Sequence, residues 1–408
     1  MATDEMTRCC IAGGGPAGMM LGLLLARAGV DVIVLEKHAD FLRDFRGDTI
    51  HPSTLELMHE LGLLDAFLTL PHQELGKLSA HVGGEVVPIA DFTHLPTRCR
   101  FLAFMPQWDF LNFLAATAAA RYPSFKLWMR AEVTDLVEDG GRIAGVRVAT
   151  EHGARSVRAD LVVAADGRRS LVRARAGLAV EELGAPMDVL WFRLSRRASD
   201  PGDTMGYFDT GRIFVTINRA AYWQCGYVIP KGAADEIRKA GIEAVRARIA
   251  QVAPHLADRV GELGTMDDLS LLTVQVDRLT RWYRPGLLCI GDAAHAMSPV
   301  GGVGINLAIQ DAVAAANILA EPLRAGRVSV DDLARVERRR EFPTRLTQRM
   351  QVTVQRRVIA PVLGGAVTVR PPLALRLLGR CSWLRRIPAR LIGLGARPEH
   401  VRTPEWRP

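Results

Sequence analysis

Hydrophobic positions fall into three textures along the chain. The first is a set of short solid apolar runs: residues 9–12 (Cys-Cys-Ile-Ala), 161–165 (Leu-Val-Val-Ala-Ala) and 287–290 (Leu-Leu-Cys-Ile). Each stops at a Gly or an Asp-Gly, which predicts strands buried on both faces. The second texture occupies residues 188–272. Short aromatic-rich strand candidates at 188–194, 212–217 and 222–230 precede a helix around 234–252, a pattern that suits antiparallel strands better than βαβ units. Alternation places Val189, Trp191 and Arg193 on one face, and Tyr222, Gln224 and Gly226 on one face of their own strand. The aromatics here would either lid an apolar cavity or pack a core. The third texture begins near residue 352, where apolar residues mix with Arg and Pro361, Pro371, Pro372 and Pro388 cut the chain into short helices.

The linking segments fill in the order. Residues 13–18 (Gly-Gly-Gly-Pro-Ala-Gly) separate the first strand from a helix over 19–28, and a strand over 32–35 ends in Glu36. Gly13, Gly15 and Gly18 fit G-x-G-x-x-G: one for the tight turn, one for close approach to a pyrophosphate, one for helix–strand packing. Glu36 follows where an acid should meet a ribose, so strand, turn, helix, strand and acid make a dinucleotide fingerprint. Ser53 or Thr54 would cap a helix carrying Leu55, Met58 and Leu61 inward. Residues 77–97 have strand texture, and 126–137 and 141–150 alternate about Asp139-Gly140-Gly141, a hairpin signal. An Arg/Glu-rich helix is expected over 330–350. The fold expected is α/β: a Rossmann-like cofactor domain (residues 1–75, 98–180 and 275–350), an inserted antiparallel-sheet substrate domain (76–97 and 181–274) and a C-terminal helical segment (351–408).

The stretch 286–311 decides between cofactors. Its strand breaks at Gly291-Asp292, and Pro299, Gly301, Gly302 and Gly304 make a turn that enters a helix from Asn306. An acid for a hydroxyl chain, followed by a helix N-terminus for a developing negative charge, suits FAD and has no counterpart in NAD binding.

Composition narrows the picture further. Length allows two or three domains, and 49% hydrophobic residues indicate a globular chain. The net charge of +8 resides in the tail: residues 352–408 hold eleven Arg and two acids, leaving the body near neutral. That argues against nucleic-acid binding. The tail is expected to cap the cofactor domain, since Arg snorkelling from packed helices is common; the competing reading is an amphipathic surface in peripheral contact with a membrane or an acidic partner. No apolar run approaches a membrane span, and no signal peptide is expected ahead of the first strand. Six scattered cysteines without C-x-x-C suit free thiols in a reducing cytoplasm, and no metal site is expected.

The run GDAAHAMSPVGGVGINLAIQDA resembles the second FAD motif of the aromatic hydroxylases similar to para-hydroxybenzoate hydroxylase. The resemblance implies that Asp292 meets the ribityl chain and that Gly304, Ile305 and Asn306 meet the isoalloxazine ring. With the first fingerprint it implies Gly13, Gly15, Ala17, Gly18, Glu36 and Lys37 as FAD contacts. Arg46, before the Thr-Leu-Glu-Leu-Met helix, maps to the family's flavin-side Arg. Gln107 maps to the Gln of its Q-x-x-L helix, though Leu111 stands where an acid is frequent. Val133 maps to the adenine side. Asp166-Gly167 matches the DG motif that serves FAD and the visiting nicotinamide cofactor, for which Arg46, Asp166 and Arg169 are the candidates. Pro299 maps to the substrate cavity, with Arg193 and Gln224 as polar anchors if their faces look at the flavin.

The function implied is an FAD-dependent monooxygenase. NADH or NADPH would reduce FAD and leave, O2 would form a flavin C4a-hydroperoxide, and an electron-rich aromatic, phenolic or quinone-like substrate would be hydroxylated. The chemistry would be flavin-driven, so no catalytic side chain is singled out. Related alternatives are a halogenase, whose W-x-W-x-I-P signature is missing, a flavin-dependent reductase of a prenyl chain, and a membrane-associated flavin-binding module.

Overall fold

The computed structural model describes residues 5–42, 49–202, 204–365 and 370–406. Its central layer is a parallel sheet in the order Phe125–Trp128, Val32–Leu35, Glu5–Ala12, Gly153–Ala164, Leu287–Cys289, with Tyr283–Arg284 antiparallel at one edge. The hairpin Glu132–Asp139/Arg142–Thr150 pairs with the start of Gly153–Ala164. Its two-residue turn is Gly140-Gly141, both at positive φ as the strand twist requires.

Two apolar helices cover the layer. Pro16–Arg27 starts with Pro at its first position and is buried from Ala17 to Ala26, because the sheet lies on one side and helices Gln107–Arg121 and Gly304–Arg324 on the other. A Cβ on Gly22 would stand 2.8 Å from Val34, so this helix sits closer to the sheet than any larger residue allows. The segment Val300–Arg324 is long and apolar enough by composition to cross a membrane, contrary to the sequence expectation; it is instead a mostly buried core helix. Helix Pro52–Glu60 also departs from expectation. His51 is its N-cap and Pro52 its first residue, so Ser53 and Thr54 lie inside the helix.

The second layer is a seven-stranded sheet in the order Ser270–Leu272, Met187–Ser195, Tyr222–Pro230, Arg212–Asn218, Met205–Asp209, Lys77–Val82, Glu85–Asp91. Neighbours are antiparallel except Met205–Asp209 and Lys77–Val82, which join the two chain segments in parallel. Leu190, Phe192, Phe214, Trp223, Cys225 and Tyr227 point to one face and pack under helix Ile242–Val252. Most of the aromatics are therefore core. The opposite face carries Val189, Trp191, Ile213, Ile217 and Val228, and meets Val300 and the tail.

The tail divides. Ile359 and Val362 join the apolar cluster on the second sheet, and Ala389 packs among Phe92, Leu95 and Ile217. Helices Leu373–Arg380 and Arg386–Gly393 and the turn Ser382–Arg385 between them leave Leu373, Leu377, Trp383 and Ile387 exposed. Residues 396–406 turn back over the first layer. There the Trp406 N–H donates to the Arg27 carbonyl at 2.7 Å, and Arg324 lies over the Trp406 ring at 4.7 Å. Asn317 donates to the His400 carbonyl and accepts from the Arg402 N–H, both at 2.8 Å.

Candidate active site

The first glycine turn is fixed by backbone sterics. Gly13 has φ +107°, its N–H donates to Leu35 O at 2.8 Å, and a Cβ there would stand 2.4 Å from Ala165 O. A Cβ on Gly18 would lie 1.9 Å from Gly13 O. Both glycines are demanded by protein packing. Gly15 is different, since nothing lies within 4 Å of its Cβ position. Its requirement would come from a ligand approaching the N-terminus of Pro16–Arg27, where helical N–H groups favour an anion. Glu36 closes the turn: Oε2 accepts the Gly14 N–H at 3.1 Å and Oε1 the His38 N–H at 3.0 Å. Lys37 beside it is exposed. The chain at 128–131 pairs with the Glu36 backbone at 2.8 and 2.9 Å, which brings Val133 to the same side. Gln107 is buried as the first residue of its helix. Arg46 lies outside the described residues.

The second turn is squeezed between helices. Gly291 has φ +58°, and a Cβ there would meet Ala308 at 3.1 Å and Ala17 at 3.2 Å, so Ala17 is small for the same reason. Asp292 projects from the turn partly exposed, with Arg168 Nη2 3.4 Å from its Oδ2. Gly304 and Ile305 open helix Gly304–Arg324, whose first N–H groups have no carbonyl a turn back to bond. The Asn306 side chain is committed to the protein. Its Oδ1 accepts the His51 N–H at 2.9 Å and the Thr54 hydroxyl at 2.7 Å, and its Nδ2 donates to Thr49 O at 3.0 Å. The part Asn306 can offer a flavin is its main chain.

Residues missed from sequence hold this turn in place. Asp311, fully buried, accepts the Gly291 N–H at 3.1 Å, pairs with His295 Nε2 at 2.6 Å and receives Arg340 Nε at 2.9 Å. Burial alone would raise its carboxyl, but the charges and hydrogen bonds of His295 and Arg340 outweigh burial and hold it below the usual range. Arg340 continues to Glu399 Oε1 at 3.3 Å, and Arg339 takes the same carboxylate at 2.6 and 3.1 Å. Three glutamines on one face of the long helix and its π-helical extension bind the loop that follows. Gln348 donates to Asp277 O and Ala296 O. Gln351 bonds Ser298 N, Ser298 O and Val300 O at 2.9–3.1 Å. Gln355 donates to Ser298 Oγ at 2.7 Å. Their spacing of three and four, at positions expected to be solvated, was the available signal.

The third element is the turn after strand Gly153–Ala164. Asp166 lies against Gly13, with its Oδ2 accepting the Val172 N–H at 3.2 Å and its Oδ1 buried without a hydrogen-bond partner among the described residues. Burial pushes this carboxyl up, against the hydrogen bonds from Ser170 and Val172. Gly167 has φ +85° with open space at its Cβ position, and Arg169 is exposed. Arg168 and Arg173 bridge to the second turn, Arg173 reaching Ala293 O at 3.3 Å and Asp277 at 3.5 Å.

Pro299 and Val300 face the second sheet, where Val300 joins the apolar cluster of Val189, Ile213 and Val228. Gln224 is buried on that sheet face and accepts from Arg219 Nε at 3.0 Å. Its register partner Arg193 stacks on Tyr222 at 5.0 Å and is exposed. Trp191 lies against Gly226, where a Cβ would be 3.0 Å from the indole, and its buried Nε1–H has no acceptor among the described residues. His51 Nε2 is likewise buried without a partner, while Nδ1 bonds Ile392 O at 2.7 Å. Orphaned polar atoms of this kind ask for a ligand.

The open cradle at Gly15, the acid at Glu36, the unused acceptor on Asp166, the projecting Asp292 and the helix start at Gly304 fit an extended flavin dinucleotide lying across the carboxyl ends of the parallel strands. Comparison with known proteins agrees. The FAD binding domain family model matches residues 6–350, and the chain belongs to that family. A 6-methylpretetramide 4-monooxygenase of Streptomyces rimosus is 35% identical over 394 residues, covering 95% of this chain and 93% of that protein. The anhydrotetracycline hydroxylase OxyS of Streptomyces rimosus superposes with a TM-score of 0.76 at 26% identity, covering 95% of this chain and 76% of that one. PqsL, a probable FAD-dependent monooxygenase from Pseudomonas aeruginosa, shares the fold with a TM-score of 0.74 at 22% identity, covering 89% and 98%. The protein is a flavoprotein monooxygenase of the aromatic-hydroxylase group, with FAD as cofactor and NADH or NADPH as reductant.

Proposed function

We propose that the enzyme hydroxylates an extended, electron-rich polycyclic phenol bound between the Pro299–Val300 loop and the Trp191–Gln224 face of the second sheet. The supporting observation is the meeting of these two surfaces: an apolar wall of Val189, Ile213 and Val300, with Trp191 Nε1–H as a buried donor lacking an acceptor. An oxygen substituent on the substrate would take that hydrogen bond, and the indole face would hold an aromatic ring. The names of two relatives, one acting on 6-methylpretetramide and one on anhydrotetracycline, support a fused-ring substrate. On this reading residues 1–75, 98–180 and 275–350 carry the cofactor, and 76–97 with 181–274 carry the substrate.

When bound, reduced FAD supplies the oxygen transfer from O2. The chain's task is to position and to exclude water. Gly13–Gly18 and Glu36 would hold the adenosine end, Asp292 the ribityl hydroxyls, and the main chain of Gly304–Asn306 the ring. Asp166 and Gly167 would border the nicotinamide's approach. The test is NAD(P)H oxidation by the FAD-loaded enzyme with a panel of one-ring phenols, dihydroxyanthraquinones and anhydrotetracycline. Fused-ring phenols should stimulate oxidation and gain one oxygen atom in the product mass. Stimulation confined to one-ring phenols would refute the substrate class, and mass gain with none of the panel would refute hydroxylation of phenols.

A further inference from the structure

Arginines gather beside helix Gly304–Arg324, away from its N-terminus. A cleft of about 350 Å³ opens there between that helix, helix Val330–Val354 and the returning tail. Arg335, Arg338, Arg339, Arg397 and Arg402 line it, and Glu399 is the one carboxylate among its lining residues. Glu399 is buried and already engaged, bonded through both oxygens to Arg339 and through one to Arg340. Arg335 is paired with Asp332, at 3.2 Å across one helical turn. Arg338, Arg397 and Arg402 make no ion pair among the described residues. The acids flanking Arg338 are engaged elsewhere, Glu337 accepting the Trp282 N–H and Glu341 pairing with Arg345, and no Asp or Glu occurs between Glu341 and Glu399.

Like charges gathered in one concave surface repel each other and concentrate a positive potential. Two segments about sixty residues apart in sequence, 335–339 and 397–402, contribute the guanidinium groups, so the gathering is a product of the fold and not of a local run. A planar fork of N–H donors matches the oxygens of phosphate, and several forks around one cleft match two linked phosphates. We propose that this cleft binds a pyrophosphate-bearing anion, which would tie the tail to helix Val330–Val354. The site is separate from the FAD turns and does not depend on the reading of the substrate.

The probe is inorganic pyrophosphate, titrated into the FAD-loaded enzyme at constant ionic strength with chloride as the balancing salt. Binding is followed by calorimetry and by the thermal midpoint. The expected result is a saturable heat with a rise in midpoint. Both should weaken by about tenfold for each of Arg338 and Arg402 changed to Ala, the loss of one charged hydrogen-bonding contact apiece. Neither side chain makes an ion pair or a hydrogen bond among the described residues, so both variants should fold and keep FAD. Arg376→Ala/Arg380→Ala, on another surface, should bind as the parent does. ADP in place of pyrophosphate separates a free anion from a nucleotide: equal affinity identifies the phosphate pair as the recognised group, and tighter ADP adds a nucleoside contact in the same cleft. No saturable binding by the parent, or equal binding by the Arg338→Ala/Arg402→Ala double variant, would overturn the proposal.

Discussion

The two glycine turns that meet the cofactor look alike in sequence and are supported by different means. The first, residues 13–18, is secured by its own neighbourhood: backbone to Leu35, backbone to Glu36, and two glycines that no side chain could replace without striking a carbonyl. The second, residues 291–304, is secured from a distance. Asp311, Gln348, Gln351, Gln355 and, through Arg340, Glu399 hold it with side chains from two helices and the tail. A locally held turn fails only by local substitution. A remotely held turn can be loosened from many places, and can adjust when those places shift.

The largest effect should come from the remote support. Asp311→Asn removes the buried carboxylate shared by His295 and Arg340 and leaves Arg340 only Glu399. Loss of one partner of such a pair costs about 3–5 kcal/mol. Urea unfolding should show that loss together with poor FAD retention. A variant as stable as the parent would show that the second turn is held locally after all.

Acid should separate the turns next. His51, bonded to the second turn through Asn306, is lowered from 6.5 to about 4, chiefly by burial and against its bond to Ile392 O. The unfolded chain therefore binds the proton more readily. The stability His51 contributes is complete above pH 6.5 and is lost as pH falls toward 4, by about 3 kcal/mol in all. Equilibrium unfolding across that window should show the slope, and His51→Asn should flatten it. Asp311, held below the usual carboxylate range, adds a loss only at lower pH.

Asp292→Ala should weaken FAD binding by about 1.5–3 kcal/mol, the loss of one charged hydrogen bond. Fluorescence titration of the apoprotein measures it, and an unchanged dissociation constant would remove Asp292 from the site. Gln351→Ala frees three main-chain groups of the 298–300 loop and should cost about 1–2 kcal/mol. Its effect should fall on substrate affinity more than on FAD affinity; the reverse would place the loop under the cofactor. The smallest stability effect belongs to Gly15→Ala. With nothing near its Cβ position, the apoprotein should change by less than about 0.5 kcal/mol while FAD binding falls. A destabilised apoprotein would mean that Gly15 serves the fold.

The first turn was legible because its motif residues lie within residues 9–36 and obey one spacing, although the carbonyl that demands Gly13 belongs to Ala165. The shared face of Val189, Trp191 and Arg193, and that of Tyr222, Gln224 and Gly226, followed from alternation, a rule that local sequence carries; the strand order and what those faces meet did not. The support of the second turn was not legible. Asp311 and the three glutamines are ordinary helix residues until partners more than fifty positions away in some cases arrive beside them. Asn306 illustrates the limit of motif reading. Its position in the flavin motif is visible, but its side chain is consumed by Thr49, His51 and Thr54. The tail resisted for another reason. Its Arg-plus-apolar composition suits a packed helix and an exposed one equally, and the fold contains both.

The bond from Arg340 to Glu399 also sets a timetable. A ribosome makes both glycine turns, Asp311 and Arg340 well before it makes the acid that completes their buried chain of charges. The second turn can therefore mature only after residue 399 has been made. A message cut short before codon 399 would yield a polypeptide with every recognisable cofactor motif and an Arg340 lacking one of its two acids. Such a product should hold FAD poorly and be cleared as unfolded.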